Sequence, residues 1–464
     1  MLKRTEKDLI GEKEIPNECY YGVHTQRALE NFPISGIPTS KFPIFIKSYA
    51  QIKKAAALAN KELKMVDEKI ATAIITACDK IIAGEFHNQF VVDVIQGGAG
   101  TSMNMNTNEV IANVALEILG KAKGEYTFIS PNDHVNKQQS TNDTYPSAVK
   151  VAVYYTIDNL TTELQHCIKS LSKKANEFKD VIKIGRTQLQ DAVPMTLGQS
   201  FANYACQLES SIKSLQGTRH AILGLNMGGT AIGTGITCHP KYKKTIAKYL
   251  KEVINNDFYV MENLFTATQD ASSFALVSGA FKRLAIQLSK ICNDFRLLSS
   301  GPRAGLGEIN LPPMQAGSSI MPGKVNPVIA EVVNQICFQV MGYDVAIAFA
   351  AEGGQLELNA FEPLMAFNLL HGASMLINGL ETLRLRLIDN ISANVEKCLA
   401  QAENNIGIVT ALNPYIGYKK STEIAKKCLA ENKSVMQVAL EMKVMSEADL
   451  KKALNLKDMV DIYK

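Results

Sequence analysis

Apolar residues recur at alternating steps of three and four between residues 157 and 178, which predicts one long helix with a single apolar stripe. The same spacing returns in residues 277–298 and 369–387, and another helix is expected to run from Pro327 past Val340. The three stripes consist of Ile157, Leu160, Leu164, Ile168, Leu171, Ala175 and Phe178; Val277, Ala280, Leu284, Leu288, Ile291, Phe295 and Leu298; and Leu369, Ala373, Leu376, Leu380, Leu383 and Leu387. Apolar stripes of this length indicate a helical bundle, so the predicted fold is mainly α with at most small β elements near the N-terminus. Periodicity leaves open whether the stripes form the core of one chain or contact other chains.

Composition restricts the class of protein. The chain has 464 residues, 46% of them hydrophobic, which is enough to bury a large core in more than one folding region. The formal net charge of +4 comes without a dense Lys/Arg run, which argues against a nucleic-acid partner. No secretory signal precedes the first helix pattern, and charges interrupt the long apolar segments. We therefore expect no membrane partner and a cytoplasmic protein.

Cysteine and histidine patterns give no sign of a cross-linked or metal-dependent fold. Nine cysteines are scattered without a Cys-x-x-Cys pair, and this odd count in a large chain predicts reduced, mostly buried thiols. The seven histidines show no metal-ligand spacing, so no metal site is expected.

Turn-forming residues suggest three regions. Gly- and Pro-bearing turns cluster before residue 141 and again around residues 413–417, whereas helical periodicity continues between them. The predicted regions are an N-terminal domain (1–140), a central helical bundle (141–396) and a small C-terminal helical domain (397–464).

The segment 317–327, Gly-Ser-Ser-Ile-Met-Pro-Gly-Lys-Val-Asn-Pro, is the richest in chemically active groups. Asn326 and Pro327 have the residue types of an N-cap and a first helical position, so the loop is expected to open onto a helix whose N-terminal dipole favours an anion. A phosphate-binding P-loop is excluded because the spacing from Gly317 to Gly323 is one residue too long and Val325 replaces the required Ser or Thr. The loop is therefore predicted to handle a carboxylate.

Four segments together resemble the fumarase/aspartase superfamily. They are the loop 317–327, the run 97–106 (Gly-Gly-Ala-Gly-Thr-Ser-Met-Asn-Met-Asn), and Ser-Thr-Asn-Asp at 140–143 followed by Gly-Arg-Thr-Gln at 185–188. The resemblance spans essentially the whole chain. It implies a three-domain fold with a long central helical bundle that forms the multi-helix core of a homotetramer, with active sites shared between chains. It also implies elimination of ammonia, water or an amine from a carboxylate without a cofactor.

The resemblance assigns roles within the loop. Ser318 is expected to act as the catalytic base in its alkoxide form, which requires strong local stabilisation because a serine hydroxyl is a very weak acid. Lys324 and Asn326 are expected to bind a substrate carboxylate, and Ser319 to bind the developing charge. Outside this context a loop serine is usually only a turn residue.

The other three segments supply the remaining expected substrate-binding residues. These are Thr101, Ser140, Thr141, Asn142, Thr187 and Gln188. A short Ser-Thr-Asn-Asp run also commonly caps a helix, and both roles can hold at once. The glycine runs 97–100 and 228–233 lack dinucleotide-binding spacing and are interpreted as backbone turns.

Local differences within the superfamily favour ammonia over water as the leaving group. Fumarases resemble one another in having His after Gly-Arg-Thr, whereas this chain has Gln188, whose neutral amide cannot carry a proton. The segment 20–25, Tyr-Tyr-Gly-Val-His-Thr, also resembles the aspartase form. We therefore expect reversible conversion of L-aspartate into fumarate and ammonia. Class II fumarate hydratase and a non-catalytic structural protein on the same fold are the alternatives.

Overall fold

The computed structural model describes residues 2–461, and helices dominate it as predicted. The helices are α1 Val23–Asn31, α2 Pro43–Glu62, α3 Glu68–Ile82, α4 Thr101–Ile118, α5 Thr141–Glu177, α6 Leu197–Ile222, α7 Tyr242–Ile254, α8 Leu264–Gln269, α9 Ser272–Leu298, α10 Val328–Glu352, α11 Glu362–Arg386, α12 Val395–Glu403, α13 Asn413–Glu431, α14 Val435–Glu441, α15 Glu447–Ala453 and α16 Leu456–Val460. A single π-helical turn, Pro131–Val135, precedes α5.

The strands form four two-stranded sheets in the described part of the chain. The pairs are β1 Lys3–Lys7 with β2 Glu12–Pro16, β3 Ile182–Thr187 with β4 Gln190–Thr196, β5 Gly224–Leu225 with β6 Tyr259–Val260, and β7 Ile309–Asn310 with β8 Ser392–Ala393. Only β5 and β6 pair in parallel. The prediction that β structure is confined to the N-terminal region was therefore wrong. Three of the pairs lie further along, and two of them are only two residues per strand, too short to show alternation.

The chain divides into two compact units over its described residues. The first comprises Met1–Thr161, Ser211–Ala285 and Phe338–Ile377, and the second comprises Thr162–Ser210, Ile286–Cys337 and Asn378–Lys464. Each is built from several non-consecutive stretches of chain. The three regions expected along the sequence stay a prediction about the family architecture.

The three apolar stripes lie in the core of the single chain. Every member of the α9 stripe and of the stripe 369–387 along α11 is buried. In the remaining stripe, Ile157, Leu160, Leu164 and Leu171 of α5 are buried, as is Phe178 just after the helix ends. Only Ile168 and Ala175 are half-buried. Of the two interpretations that periodicity left open, core packing within one chain is confirmed for these stripes.

Helix α10 differs from the other long helices because much of its apolar surface is exposed. Phe338, Val345 and Phe349 are spaced seven and four residues apart, which places them on one face, and their side chains are exposed. Among the described residues α10 is also the one helix long and apolar enough to cross a membrane, although 28% of its most apolar window is buried and a single such helix is weak evidence of a span. Glu331 and Asp344 nevertheless interrupt its apolar sequence.

The cysteines agree with the expected reduced state. All nine are free, and the six buried ones are Cys78, Cys167, Cys292, Cys337, Cys398 and Cys428.

Candidate active site

The first unit contains a sharp turn that leads into α4 and ends at Thr101. Gly98, Ala99 and Gly100 all have positive φ angles, of 85°, 53° and 90°. A Cβ atom on Gly100 would lie 2.2 Å from the ring of Tyr145, so both the backbone conformation and the close packing require glycine there. The Thr101 hydroxyl donates to the carbonyl of Gly98 at 2.7 Å, and the side chain is exposed. The turn expected from the glycine run is confirmed.

The side chains of Ser140 and Asp143 both accept backbone hydrogen bonds at the start of α5. The N–H of Ser140 donates to Asp143 Oδ1 at 3.0 Å, while Ser140 Oγ accepts from the N–H of Asn142 at 3.2 Å. This is the arrangement of a helix cap. The capping interpretation of the Ser-Thr-Asn-Asp run is therefore confirmed, and it leaves the side chains of Thr141 and Asn142 at the first turn of the helix.

Asp143 also holds the second glycine run beside this helix start. Its Oδ2 accepts from the N–H groups of Gly228 at 3.2 Å and Thr230 at 3.1 Å, and Asn142 Nδ2 donates to the carbonyl of Ala231 at 2.8 Å. Gly228 and Gly233 have φ angles of 90° and 113°, as a turn built on glycine requires. Complete burial raises the pKa of Asp143 to about 7, although its backbone hydrogen bonds act in the opposite direction.

A side-chain hydrogen bond joins the two helix starts of the first unit. Asn104, one turn into α4, donates its Nδ2 to Thr141 Oγ1 at 3.0 Å. The segment that carries Thr101 and the segment that carries Ser140, Thr141 and Asn142 thus lie side by side. The result is a polar cluster of hydroxyl and amide groups at two helix N-termini, which suits an anionic ligand.

The second unit presents Thr187 and Gln188 at the tip of the hairpin between β3 and β4. Gln188 and Leu189 have φ angles of 54° and 62°, the conformation of a two-residue type I′ turn. Such turns usually contain Asn-Gly or Asp-Gly, so this sequence gave no signal for the hairpin. Both Thr187 and Gln188 are exposed.

A buried carboxylate holds the hairpin in place. Glu308 is fully buried, receives Lys183 Nζ at 2.8 Å and pairs with the guanidinium of Arg186, the residue next to Thr187. Because a buried charge without its partner is costly, this cluster fixes the position of β3. Glu308 was not among the predicted site residues, and nothing in its local sequence marks it.

The loop 317–327 lies in the second unit and is closed at its base. The N–H of Gly317 donates to the carbonyl of Lys324 at 2.8 Å, and Asn326 Nδ2 donates to the carbonyl of Gly317 at 2.8 Å. A Cβ atom on Gly317 would lie 2.4 Å from that Lys324 oxygen, so only glycine fits. The predicted capping role of Asn326 was wrong. Helix α10 begins at Val328, and the Asn326 amide closes the loop instead of accepting from the first helical N–H groups.

Ser318 Oγ accepts two backbone hydrogen bonds inside this loop. The N–H groups of Ile320 and Met321 donate to it at 3.2 Å and 2.9 Å. Two N–H donors directed at a hydroxyl oxygen would stabilise negative charge on that oxygen, which a serine base needs. Both of these donors belong to the loop itself.

Several expected site residues remain separate in the described structure. Ser319 and Lys324 are exposed on the loop, and neither makes a hydrogen bond or ion pair with the tip of the hairpin that carries Thr187 and Gln188. Within the second unit, the loop and the hairpin therefore present their polar side chains independently.

Comparison with known proteins supplies the biochemical context. Residues 11–342 match the family described as Lyase, and residues 408–461 match the family described as Fumarase C C-terminus. Aspartate ammonia-lyase from Helicobacter pylori is 55% identical over 447 residues, which are 96% of each chain. Aspartate ammonia-lyase from Escherichia coli is 49% identical over 458 residues, which are 98% of this chain and 96% of the relative.

Solved structures share the fold over nearly the whole length. A fumarate lyase:delta crystallin from Brucella melitensis, bound to cobalt, superposes with a TM-score of 0.96 at 48% identity and covers 99% of both chains. A recombinant class II fumarase from Schistosoma mansoni gives a TM-score of 0.94 at 34% identity and covers 100% of both chains.

Proposed function

The chain belongs to the fumarase/aspartase family of lyases, and on that basis we infer that it is an aspartate ammonia-lyase, which converts L-aspartate reversibly into fumarate and ammonia. The observation that carries this conclusion is the 55% identity to an aspartate ammonia-lyase over nearly the whole chain. The class II fumarase has the same fold but only 34% identity. The shared fold does not distinguish the two activities, because the residues of the site, and not the scaffold, determine which reaction is catalysed.

We propose that Ser318 removes a proton from Cβ of L-aspartate. The C–H electron pair moves into the adjacent carboxylate and gives a dianionic aci-carboxylate. This intermediate then collapses, the Cα–N bond breaks with its electron pair on nitrogen, and fumarate and ammonia leave. The N–H groups that donate to Ser318 Oγ support this role because they favour the deprotonated serine.

Substrate binding is proposed to use both groups of polar side chains. Lys324 supplies a cation for a substrate carboxylate, and Asn326 has a second amide proton beyond the one it donates to Gly317. Ser319 is the third proposed ligand of the loop. The first unit contributes Thr101, Ser140, Thr141 and Asn142, and the hairpin contributes Thr187 and Gln188.

Gln188 is consistent with ammonia as the leaving group. A glutamine amide donates and accepts hydrogen bonds but carries no proton for a leaving hydroxide. An ammonium group leaves as neutral ammonia without a further proton. The proposed reaction therefore needs neither a general acid at this position nor a cofactor.

The exposed apolar face of α10 supports a homotetramer with shared active sites. Phe338, Val345 and Phe349 would expose an unusually apolar stripe in an isolated chain, and such stripes mark association surfaces. The resemblance to the superfamily implies a multi-helix core formed by four subunits, and this face of α10 would suit such a core. We propose that other subunits, and not a membrane, cover α10, and that the enzyme is cytoplasmic.

A direct assay tests the activity. Purified protein is given L-aspartate or, separately, L-malate, and fumarate is followed by ultraviolet absorbance while ammonia is measured enzymatically. Equal release of fumarate and ammonia from aspartate alone is expected. Fumarate from malate alone would identify a hydratase, and no turnover of either substrate would favour a structural protein on this fold.

A further inference from the structure

Lys53 of α2 is a fully buried lysine near the start of α5, within the first unit. Its Nζ donates to Asn136 Oδ1 and Gln139 Oε1, both at 3.0 Å. The segment that carries these acceptors lies between the π-helical turn and Ser140. A buried ammonium is expensive unless it is hydrogen-bonded, so its place in the fold calls for an explanation.

A chain of hydrogen bonds leads from Lys53 to the first turn of α5. Asn136 Oδ1 also accepts from Asn104 Nδ2 at 3.3 Å, and Asn104 Nδ2 donates its other proton to Thr141 Oγ1 at 3.0 Å. Asn136 Nδ2 donates separately to the carbonyl of Gln139 at 3.1 Å. The lysine and the proposed substrate ligand Thr141 are therefore connected through two asparagine side chains.

The direction of this chain is fixed at the lysine end. Asn136 Nδ2 donates to the carbonyl of Gln139, which can only accept, so Asn136 presents its oxygen to the donating Nζ of Lys53. That oxygen in turn requires Asn104 to present its NH₂ group. The other end of the Asn104 amide, Oδ1, accepts from the hydroxyls of Tyr49 at 3.3 Å and Thr144 at 3.2 Å.

This direction determines what the Thr141 hydroxyl can do. Its oxygen already accepts a proton from Asn104, so its own proton is available to an external acceptor. A carboxylate oxygen is such an acceptor, whereas a substrate ammonium group is not. We propose that Lys53 is a positioning residue that, through two asparagine side chains, fixes the Thr141 hydroxyl as a hydrogen-bond donor to a substrate carboxylate.

The inference rests on the proposed function, because it assumes that Thr141 contacts the substrate. Wild-type turnover of aspartate and the variant Thr141→Val test that assumption first. Loss of kcat/KM in Thr141→Val, with an unchanged circular dichroism spectrum, is the expected result. A fully active Thr141→Val variant would overturn the inference while leaving the ammonia-lyase activity intact.

Two substitutions of Asn104 separate positioning from packing. In Asn104→Ala the threonine loses a donor but keeps its own proton for the substrate. In Asn104→Asp the shape is retained, but the carboxylate accepts the threonine proton and turns it away from the substrate. We expect Asn104→Asp to lower kcat/KM about 10- to 100-fold below Asn104→Ala, the range for one misdirected hydrogen bond at a charged group. A merely structural asparagine predicts the reverse order, since alanine leaves a cavity.

Lys53→Met tests whether Lys53 is a positioning residue, and Lys150→Met is its matched control. Lys150 is another buried lysine of the first unit, and it donates to the carbonyl of Gly224 at 2.8 Å. Both variants are expected to lose thermal stability, but only Lys53→Met should raise KM and lower kcat/KM of the folded protein. Equal kinetic effects of the two variants would contradict the proposal, and so would an Asn104→Asp variant more active than Asn104→Ala.

Discussion

Replacing Phe349 by aspartate tests whether catalysis depends on the apolar face of α10. The Phe349 side chain is 72% exposed in the single chain. A phenylalanine presents about 200 Å² of surface, so covering it would remove about 140 Å² from water and contribute about 3.5 kcal/mol per subunit. Four copies would contribute about 14 kcal/mol to a tetramer, before the additional cost of burying four carboxylates.

The folding of the individual chain should change much less. A side chain that is mostly exposed contributes little to the stability of its own subunit, so Phe349→Asp is expected to remain helical and to stay within about 1 kcal/mol of the wild type. Leu429→Asp on α13 is the matched control, because Leu429 is 73% exposed and lies outside α10. It should leave both assembly and turnover unchanged.

Light scattering coupled to size exclusion gives the mass of each variant, and aspartate turnover is measured on the same fractions. Phe349→Asp is expected to elute as dissociated subunits with little activity, and Leu429→Asp as an active tetramer. A dissociated Phe349→Asp protein with full turnover would refute shared active sites. A variant that stays tetrameric would refute the assignment of this face to the interface, and a wild type that partitions into lipid vesicles would favour a membrane partner.

Three further outcomes are expected. Ser318→Ala should reduce kcat by about 10²- to 10⁴-fold or more without altering the circular dichroism spectrum, whereas an active variant would remove Ser318 from the role of base. Gly100→Ala should lower the thermal midpoint and aspartate turnover, because the new methyl group would meet the Tyr145 ring at 2.2 Å where φ is 90°; unchanged values would show that the turn rearranges at little cost. Burial lowers the pKa of Lys53 from 10.5 to about 7, so the unfolded chain binds more protons between these values and stability should rise with pH there, by up to about 1.4 kcal/mol per unit. Denaturant unfolding at several pH values above 7 measures this slope, which should be reduced in Lys53→Met; an equal slope in both proteins would assign it to other groups.

Interactions between near neighbours in the sequence were the most predictable part of this protein. The apolar stripes of α9 and α11 are buried along their whole length, because residues three and four apart share one face of a helix whatever lies opposite. The turn before Thr101 and the cap formed by Ser140 and Asp143 were also predicted, since glycine and short polar side chains have few alternatives at such places.

Other features depended on which distant residues arrive at a position. Asn326 has the residue type of a helix cap, yet its amide closes the loop on Gly317, nine residues away. The hairpin at Gln188 lacks the usual turn residues, and Glu308, which pairs with Arg186, is 122 residues distant along the chain. Local propensity carries no information about such partners.

The sequence by itself determined the apolar helical stripes, the glycine turns and the set of groups available for carboxylate chemistry, because each follows from periodicity or from the intrinsic geometry of a residue. Only the tertiary structure decided which polar groups are buried and what each one faces. Lys53 shows the difference, since a lysine within an alanine-rich helix is usually a solvated side chain. Here it is completely buried, and its direction of hydrogen bonding follows from acceptors 83 and 86 residues away.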